Sequence, residues 1–304
     1  MSTERPESRL EQMMRSDEEN VSNVRRCFRD FHPDLEYLLD HIADLFGMFS
    51  DCLGTILHGK ELRTIERLAA ERGKTIQDFM AIIDSTDQGP AVIEARAAKF
   101  TYLAKEIRIL LFLACKRQFM WGAAEILKFK VTPAMGYLRQ EAESVGLLHL
   151  FLKDPRLAIE WSQIFTPEDG KKFFSSTQPK LKKVLAYFEL LNAYDFGSAT
   201  ALHTRLVSLV RGTPVIDRAE RRQPRYSVPY QEIEPEKPFR FLLSSLHWTR
   251  SQERTLIALG RAFPELDLGA WWQEIETLRV TEGGLWEHLE CVFPEETAAR
   301  KPPN

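Results

Sequence analysis

Between Pro90 and Pro133 no proline interrupts the chain, and Ile93, Ala97, Phe100, Ala104, Ile107, Leu111 and Ala114 advance along it in alternating steps of four and three. An apolar stripe with that spacing lies on one side of an α-helix, and a helix of about 30 residues is about 45 Å long. A rod of that length buries its stripe only if other helices lie along it. The stretch therefore predicts the spine of a helical bundle. Strands would need side chains alternating with a period of two, and no run of useful length does so.

The flanking sequence has the same period. From Pro33, the positions Leu35, Leu38, Ile42, Leu45, Phe49, Cys52 and Ile56 form one stripe, with Asp34 and Glu36 at the end where the helix dipole favours acids, and the helix ends near His58 and Gly59. Two shorter helices follow, "KELRTIERLAAERG" and "TIQDFMAIIDS", with Gly73 suited to close the first and Thr75 with Asp78 to open the second. Beyond the spine, helices are expected over Pro133–Lys153, Pro155–Phe165 and Pro179 to about Ala193, with a further piece around Ala199–Val210. Residues 212–238 hold five prolines and no helical stripe. They read as an irregular connection with a short extended pair around Tyr226 to Ile233. After it helices restart, with Trp248, Trp271, Trp272 and Trp286 as bulk.

The expected fold is all-α, a multi-helix bundle with a long central helix and a smaller Trp-rich helical C-terminal portion. Its expected divisions are a disordered segment over 1–20, the main bundle over 21–211, the Pro-rich connection over 212–238, the C-terminal helices over 239–293 and a disordered tail over 294–304.

Composition excludes several classes. The N-terminus "MSTERPESRLEQMMRSDEEN" has no apolar signal region, and the most apolar stretch, "IRILLFLACKRQFMWGAAEIL", is broken by Lys116 and Arg117 well short of the about 20 residues that a membrane span needs. A cytoplasmic protein without a membrane partner is the expectation. Cys27, Cys52, Cys115 and Cys291 are far apart with no C-x-x-C pair, as expected for buried free thiols in a reducing compartment. The net charge of −3 conceals an asymmetry: residues 170–225 carry eleven cations against four acids, a net +7, so the rest of the chain carries −10. Such a segment suits an anionic partner.

Other constellations resolve into structure. "RGKT" at 72–75 lacks the phosphate-loop glycine, Leu68 standing in its place, and reads as a helix cap. The helix pair around it carries five cations against six acids over Lys60–Asp87, a poor balance for binding DNA. Glu36, Asp40, Asp44 and Asp51 share one helical face without a facing column of carboxylates, no His has a Glu three residues before it, and no Ser sits in a G-x-S-x-G turn. Neither metal nor cofactor is implied. His149 shares a face with Leu138, Ala142, Val145 and Leu152 and reads as a satisfied core histidine.

In "YLRQEAESVGLLHLFLKDP" (137–155), Arg139 and Glu143 are neighbours on the helix surface, on the face of Gly136, Gly146 and Leu150. Glycines admit a close neighbouring helix, which would put the pair in a partly buried seam, and it reads as an interhelical salt bridge, an exposed i,i+4 pair or a site. Arg139-x-x-x-Glu143-Ser144, the apolar helix after it, Lys153-Asp154-Pro155 and Trp161, with Ser198 and His203 in "GSATALH", resemble a broad group of mostly uncharacterised all-helical bacterial and archaeal proteins. That group is distantly similar to the HEPN superfamily of nucleotide- and RNA-associated helical domains, some of them metal-independent ribonucleases in defence systems. The resemblance covers about residues 90–215. It implies Arg139, Glu143 and His203 as the candidate catalytic residues. The chain departs from the catalytic branch, in which a polar residue follows the Arg that precedes the catalytic His: Cys27 follows Arg26 before His32, and Phe241 follows Arg240 before His247.

The leading expectation is a non-catalytic protein that docks RNA or an acidic protein face through Lys180, Lys182, Lys183, Arg221, Arg222, Arg225 and Tyr226, in a defence or stress system. A HEPN-like ribonuclease is one alternative. A structural bundle that forms a homo-oligomer through its Trp-rich C-terminal helices is the other.

Overall fold

The computed structural model describes residues 22, 31–57, 59–83, 90–197, 214–215, 225–226 and 238–298. The chain is all-α. In order its helices are α1 (His32–Leu57), α2 (Lys60–Glu71), α3 (Ile76–Ile83), α4 (Pro90–Leu127), α5 (Val131–Lys153), α6 (Pro155–Ser162), α7 (Pro167–Tyr187), α8 (Leu191–Phe196), α9 (Pro238–Ala262), α10 (Gly269–Val292) and α11 (Pro294–Ala298). No helix among the described residues is long and apolar enough to cross a membrane.

The spine is α4, with 38 residues and a length of about 57 Å. It turns back into α5 through Lys128–Lys130, where Phe129 takes a positive φ of 61° and Lys130 N–H bonds the Glu125 carbonyl at 2.8 Å. The buried Phe129 ring lies 5.1 Å from Phe241 of α9, and that packing offsets the backbone strain. On this hairpin pack α6, α7 and α8 and also α1 and α9, and α10 in turn packs on α1 and α9.

The core is aromatic. Phe46 and Phe49 of α1 meet Phe119 and Phe112 of α4 at 5.0 and 4.8 Å, and Phe49 also meets Phe263 and Trp271 edge-on at 5.4 and 5.3 Å. Trp248 of α9 stacks on Phe119 and donates its indole N–H to Ala134 O at 3.2 Å. One continuous core therefore includes the C-terminal helices. A small separate cluster of Ile65, Leu68, Phe79 and Ala95 holds α2 and α3 against the start of α4. There Gly73, at φ +62°, closes α2, and Thr75 accepts the Asp78 N–H at 3.1 Å to open α3.

The region after α6 departs from expectation. Pro179 marks a helix start in the sequence, yet it lies inside α7, which begins at Pro167 and ends at Tyr187. The true start has its own signature: Thr166 accepts the Asp169 N–H at 3.2 Å and donates its hydroxyl to the Asp169 carboxylate at 2.8 Å. The helix tolerates an interior proline because position 179 faces solvent, where the Ser175 carbonyl left without its N–H partner can be hydrated. Glu189, at φ 57°, separates α7 from the short α8.

In the Pro-rich connection, strand β1 (Pro214–Val215) pairs antiparallel with β2 (Arg225–Tyr226), Pro214 opposite Tyr226. The partner of β2 thus lies upstream of the stretch expected to be extended. Cys115 is buried as expected, whereas Cys291 is exposed. The expected helical piece at 199–210 and the segments 1–20 and 299–304 lie outside the described residues, and the first part of the tail expected over 294–304 is the helix α11 (Pro294–Ala298).

Candidate functional site

Arg139 and Glu143 point toward each other on α5, 3.7 Å apart, with side chains 29% and 26% exposed. The Arg139 guanidinium lies 5.0 Å from the centre of the Tyr194 ring on α8. Gly197 ends α8 so close to α5 that a Cβ there would stand 2.6 Å from Arg139 Cβ and 2.3 Å from Met135 O. Gly146, two turns along, admits Leu181 of α7 in the same way. Burial raises the Glu143 carboxyl above its ordinary range, and Arg139 opposes the rise. The ion pair lies within α5, and it is the Arg139 guanidinium over Tyr194 that touches α8; the glycine of that contact is Gly197 of α8, whereas Gly146 faces α7. Ser198 and His203, the rest of that constellation, lie outside the described residues.

The predicted basic contacts divide. On α7, Lys180, Lys183 and Tyr187 follow at helical spacing along one face, and all three are exposed. Lys182 instead pairs with Asp195 at 3.1 Å. Arg221 and Arg222 lie outside the described residues, and Arg225 and Tyr226 are described as the backbone of β2. Lys183 edges an open groove of about 580 Å³ floored by Leu152, Val184 and Phe188 and closed by His149 and Arg261. His149 donates Nε2–H to Ala258 O at 2.8 Å and packs 4.5 Å from the Phe188 ring. Burial lowers its pKa, and Arg108 and Arg261 lower it further, against the Ala258 bond.

Through Tyr187, Phe188 and Arg261 this groove continues into a cleft of about 490 Å³ between the end of α7 and helices α9 and α10. Arg250, Arg254 and Arg261 reach it from α9, spaced four and seven apart so that they share a face, and Arg279 reaches it from α10. Arg254 pairs with the Glu189 carboxylate and donates to the Glu189 carbonyl at 3.3 Å. Arg261 donates to the Tyr187 hydroxyl at 3.0 Å. Arg279 bonds Glu253 at 2.8 Å and Glu276 at 2.9 Å. Arg250 makes no ion pair among the described residues.

Glu282 of α10 is buried in the same cleft, accepts Trp286 Nε1–H at 3.4 Å, and has its pKa pushed up to about 7 by burial first and the neighbouring Glu253 second. The cleft thus combines guanidinium donors, an exposed tyrosine and a half-buried tryptophan. That set suits a ligand bearing both negative charge and flat rings. Among the described residues no group of three or more His, Cys, Asp or Glu could hold a metal ion.

The α9 and α10 arginines were not among the residues expected from sequence, because the basic surplus was bounded at Arg225. The usable signal was the spacing in "HWTRSQERTLIALGRAF", which puts three arginines on one helical face. No family model, curated protein or solved structure matches the chain.

Proposed function

We propose that the chain is a binding protein, without chemistry of its own, that docks single-stranded RNA along the basic face of α7 and the arginine-lined cleft beside it. The observation that carries this reading is convergence: Arg250, Arg254, Arg261 and Arg279 line one cleft, which shares Tyr187, Phe188 and Arg261 with the groove edged by Lys183. Phosphates bind such cations, and bases stack on rings like those of Tyr187 and Trp286. The rings favour RNA over an acidic protein face, for which cations alone would suffice.

The test is retention of a single-stranded RNA oligomer by the full chain across a salt series. Binding should weaken steeply with salt, with a log–log slope of about 0.7 for each phosphate neutralised on a single strand. Lys183→Glu and Arg250→Glu should each weaken it at every salt concentration. No retention at low ionic strength removes the reading. Cleavage of the RNA that disappears in His203→Ala would replace it with the ribonuclease one.

A further inference from the structure

The cleft places three carboxyls, those of Glu189, Glu253 and Glu282, among its arginines, an arrangement that anion binding alone does not call for. Glu253 of α9 holds Arg279 Nε at 2.8 Å as an ion pair. Glu282 of α10 is buried beside it, with the Trp286 indole N–H as its other polar contact, and Arg250 of α9 acts on it electrostatically without forming an ion pair with it. A buried acid next to a fixed carboxylate holds its proton into the neutral range. Here that range is centred at about 7.

We propose that the cleft binds an RNA phosphate together with a proton, which comes from solvent and resides on Glu282. This inference rests on the RNA reading of the cleft. A phosphodiester stays anionic across neutral pH, so its affinity responds to the charge of Glu282. With Glu282 protonated, Arg250 and Arg279 face the phosphate without an added negative charge between them. With Glu282 ionised, that charge repels the phosphate. Affinity therefore falls as pH rises through about 7.

The other groups around the pair come from three elements. From the end of α7, Glu189 is held by Arg254, and Tyr187 is bonded to Arg261. From α10, Glu276 is held by Arg279. From α9, His247 lies 5.5 Å from the Trp286 ring, edge-on. His149 lies in the adjoining groove, with its pKa already lowered.

The experiment measures the affinity of an oligouridylate for the full chain at fixed low salt from about pH 6 to about pH 8, spanning the ordinary histidine range as well as Glu282. Parent, Glu282→Gln, His247→Gln and His149→Gln are compared, with circular dichroism to establish folding. The parent should bind about fivefold more weakly at the alkaline end, which corresponds to a one-unit rise of the Glu282 pKa on binding over this pH range. Glu282→Gln should bind with no pH slope, while both histidine variants keep the slope whatever their affinity. Calorimetry of the parent near neutrality, in buffers of different ionisation enthalpy, should show proton uptake on binding.

A flat profile for the parent with salt-dependent binding intact, an unchanged slope in Glu282→Gln, or binding without proton uptake overturns the proton coupling and leaves the RNA reading standing. Failure of the parent to bind RNA at any pH overturns both.

Discussion

Trp271 donates its indole N–H to the carbonyl of Leu45 at 3.0 Å, tying α10 to α1 across 226 positions of sequence. The same ring meets Phe49 edge-on at 5.3 Å and is 2% exposed. Trp271→Ala should cost about 3–5 kcal/mol through the cavity it leaves. Trp271→Phe, which keeps most of the packing and loses the donor, should cost about 0.5–1.5 kcal/mol. Urea unfolding distinguishes the two: equal losses would mean that the packing Phe retains contributes nothing, and no loss in Trp271→Phe would mean that the hydrogen bond contributes nothing.

That contact also shows where sequence reading reached its limit. The stripes from Leu35 to Ile56 and from Ile93 to Ala114 gave α1 and α4 because helical period is a local property, and Thr75 with Asp78 opened α3 for the same reason. Pro179 misled because an exposed proline ends a helix only if nothing later rebuilds it, and the Thr166–Asp169 box that starts α7 lies thirteen residues earlier. Arg139 and Glu143 were legible as a pair, since both sit on one helix. The cleft was not, because Arg250 and Arg261 meet Arg279 and Tyr187 only after three distant segments pack.

Glu141 is fully buried on α5, and neither carboxyl oxygen has a hydrogen-bond partner. Burial raises its pKa well above the ordinary range, with Gln252 of α9 opposing weakly. The folded state therefore keeps a proton that the unfolded chain releases above about pH 4.3. Stability should fall as pH rises from there until the folded-state pKa is passed, by about 1.4 kcal/mol for each unit of upward shift. Glu141→Gln removes the titration, so its unfolding free energy should lose less than that of the parent between acid and neutral pH. Parallel pH profiles for the two proteins would show that Glu141 is not the source.

At Gly146 a Cβ would lie 2.2 Å from Leu181 Cδ1, and Leu185 lies just beyond it. Gly146→Ala gains about 1 kcal/mol of helix propensity but forces α7 outward, at a cost of about 1–3 kcal/mol. Leu181→Ala alone should cost about 2–5 kcal/mol, because Leu181 is 1% exposed. In the double variant the new methyl occupies space that Leu181 vacates, so its loss should be smaller than the sum of the singles. Strict additivity in denaturant unfolding would place the close approach elsewhere.

Arg261 connects the groove to the cleft, and its charge should be readable at His149. The guanidinium donates to the Tyr187 hydroxyl and lies 6.0 Å from the centre of the Phe188 ring, against whose other neighbour, His149, it exerts part of the repulsion that lowers the imidazole pKa. Burial is the larger cause and persists in Arg261→Gln. The substitution should therefore raise the His149 pKa without restoring it fully to its ordinary value. The same change removes a cation from the RNA path, so binding should weaken for every sequence and the salt slope should fall by about 0.7. An NMR titration of the His149 ring follows the first effect and a salt series the second. If the His149 pKa stays fixed while binding weakens, Arg261 acts on the ligand alone. If the pKa rises and binding is unchanged, Arg261 belongs to the architecture of α7 and α9 and the RNA path runs elsewhere.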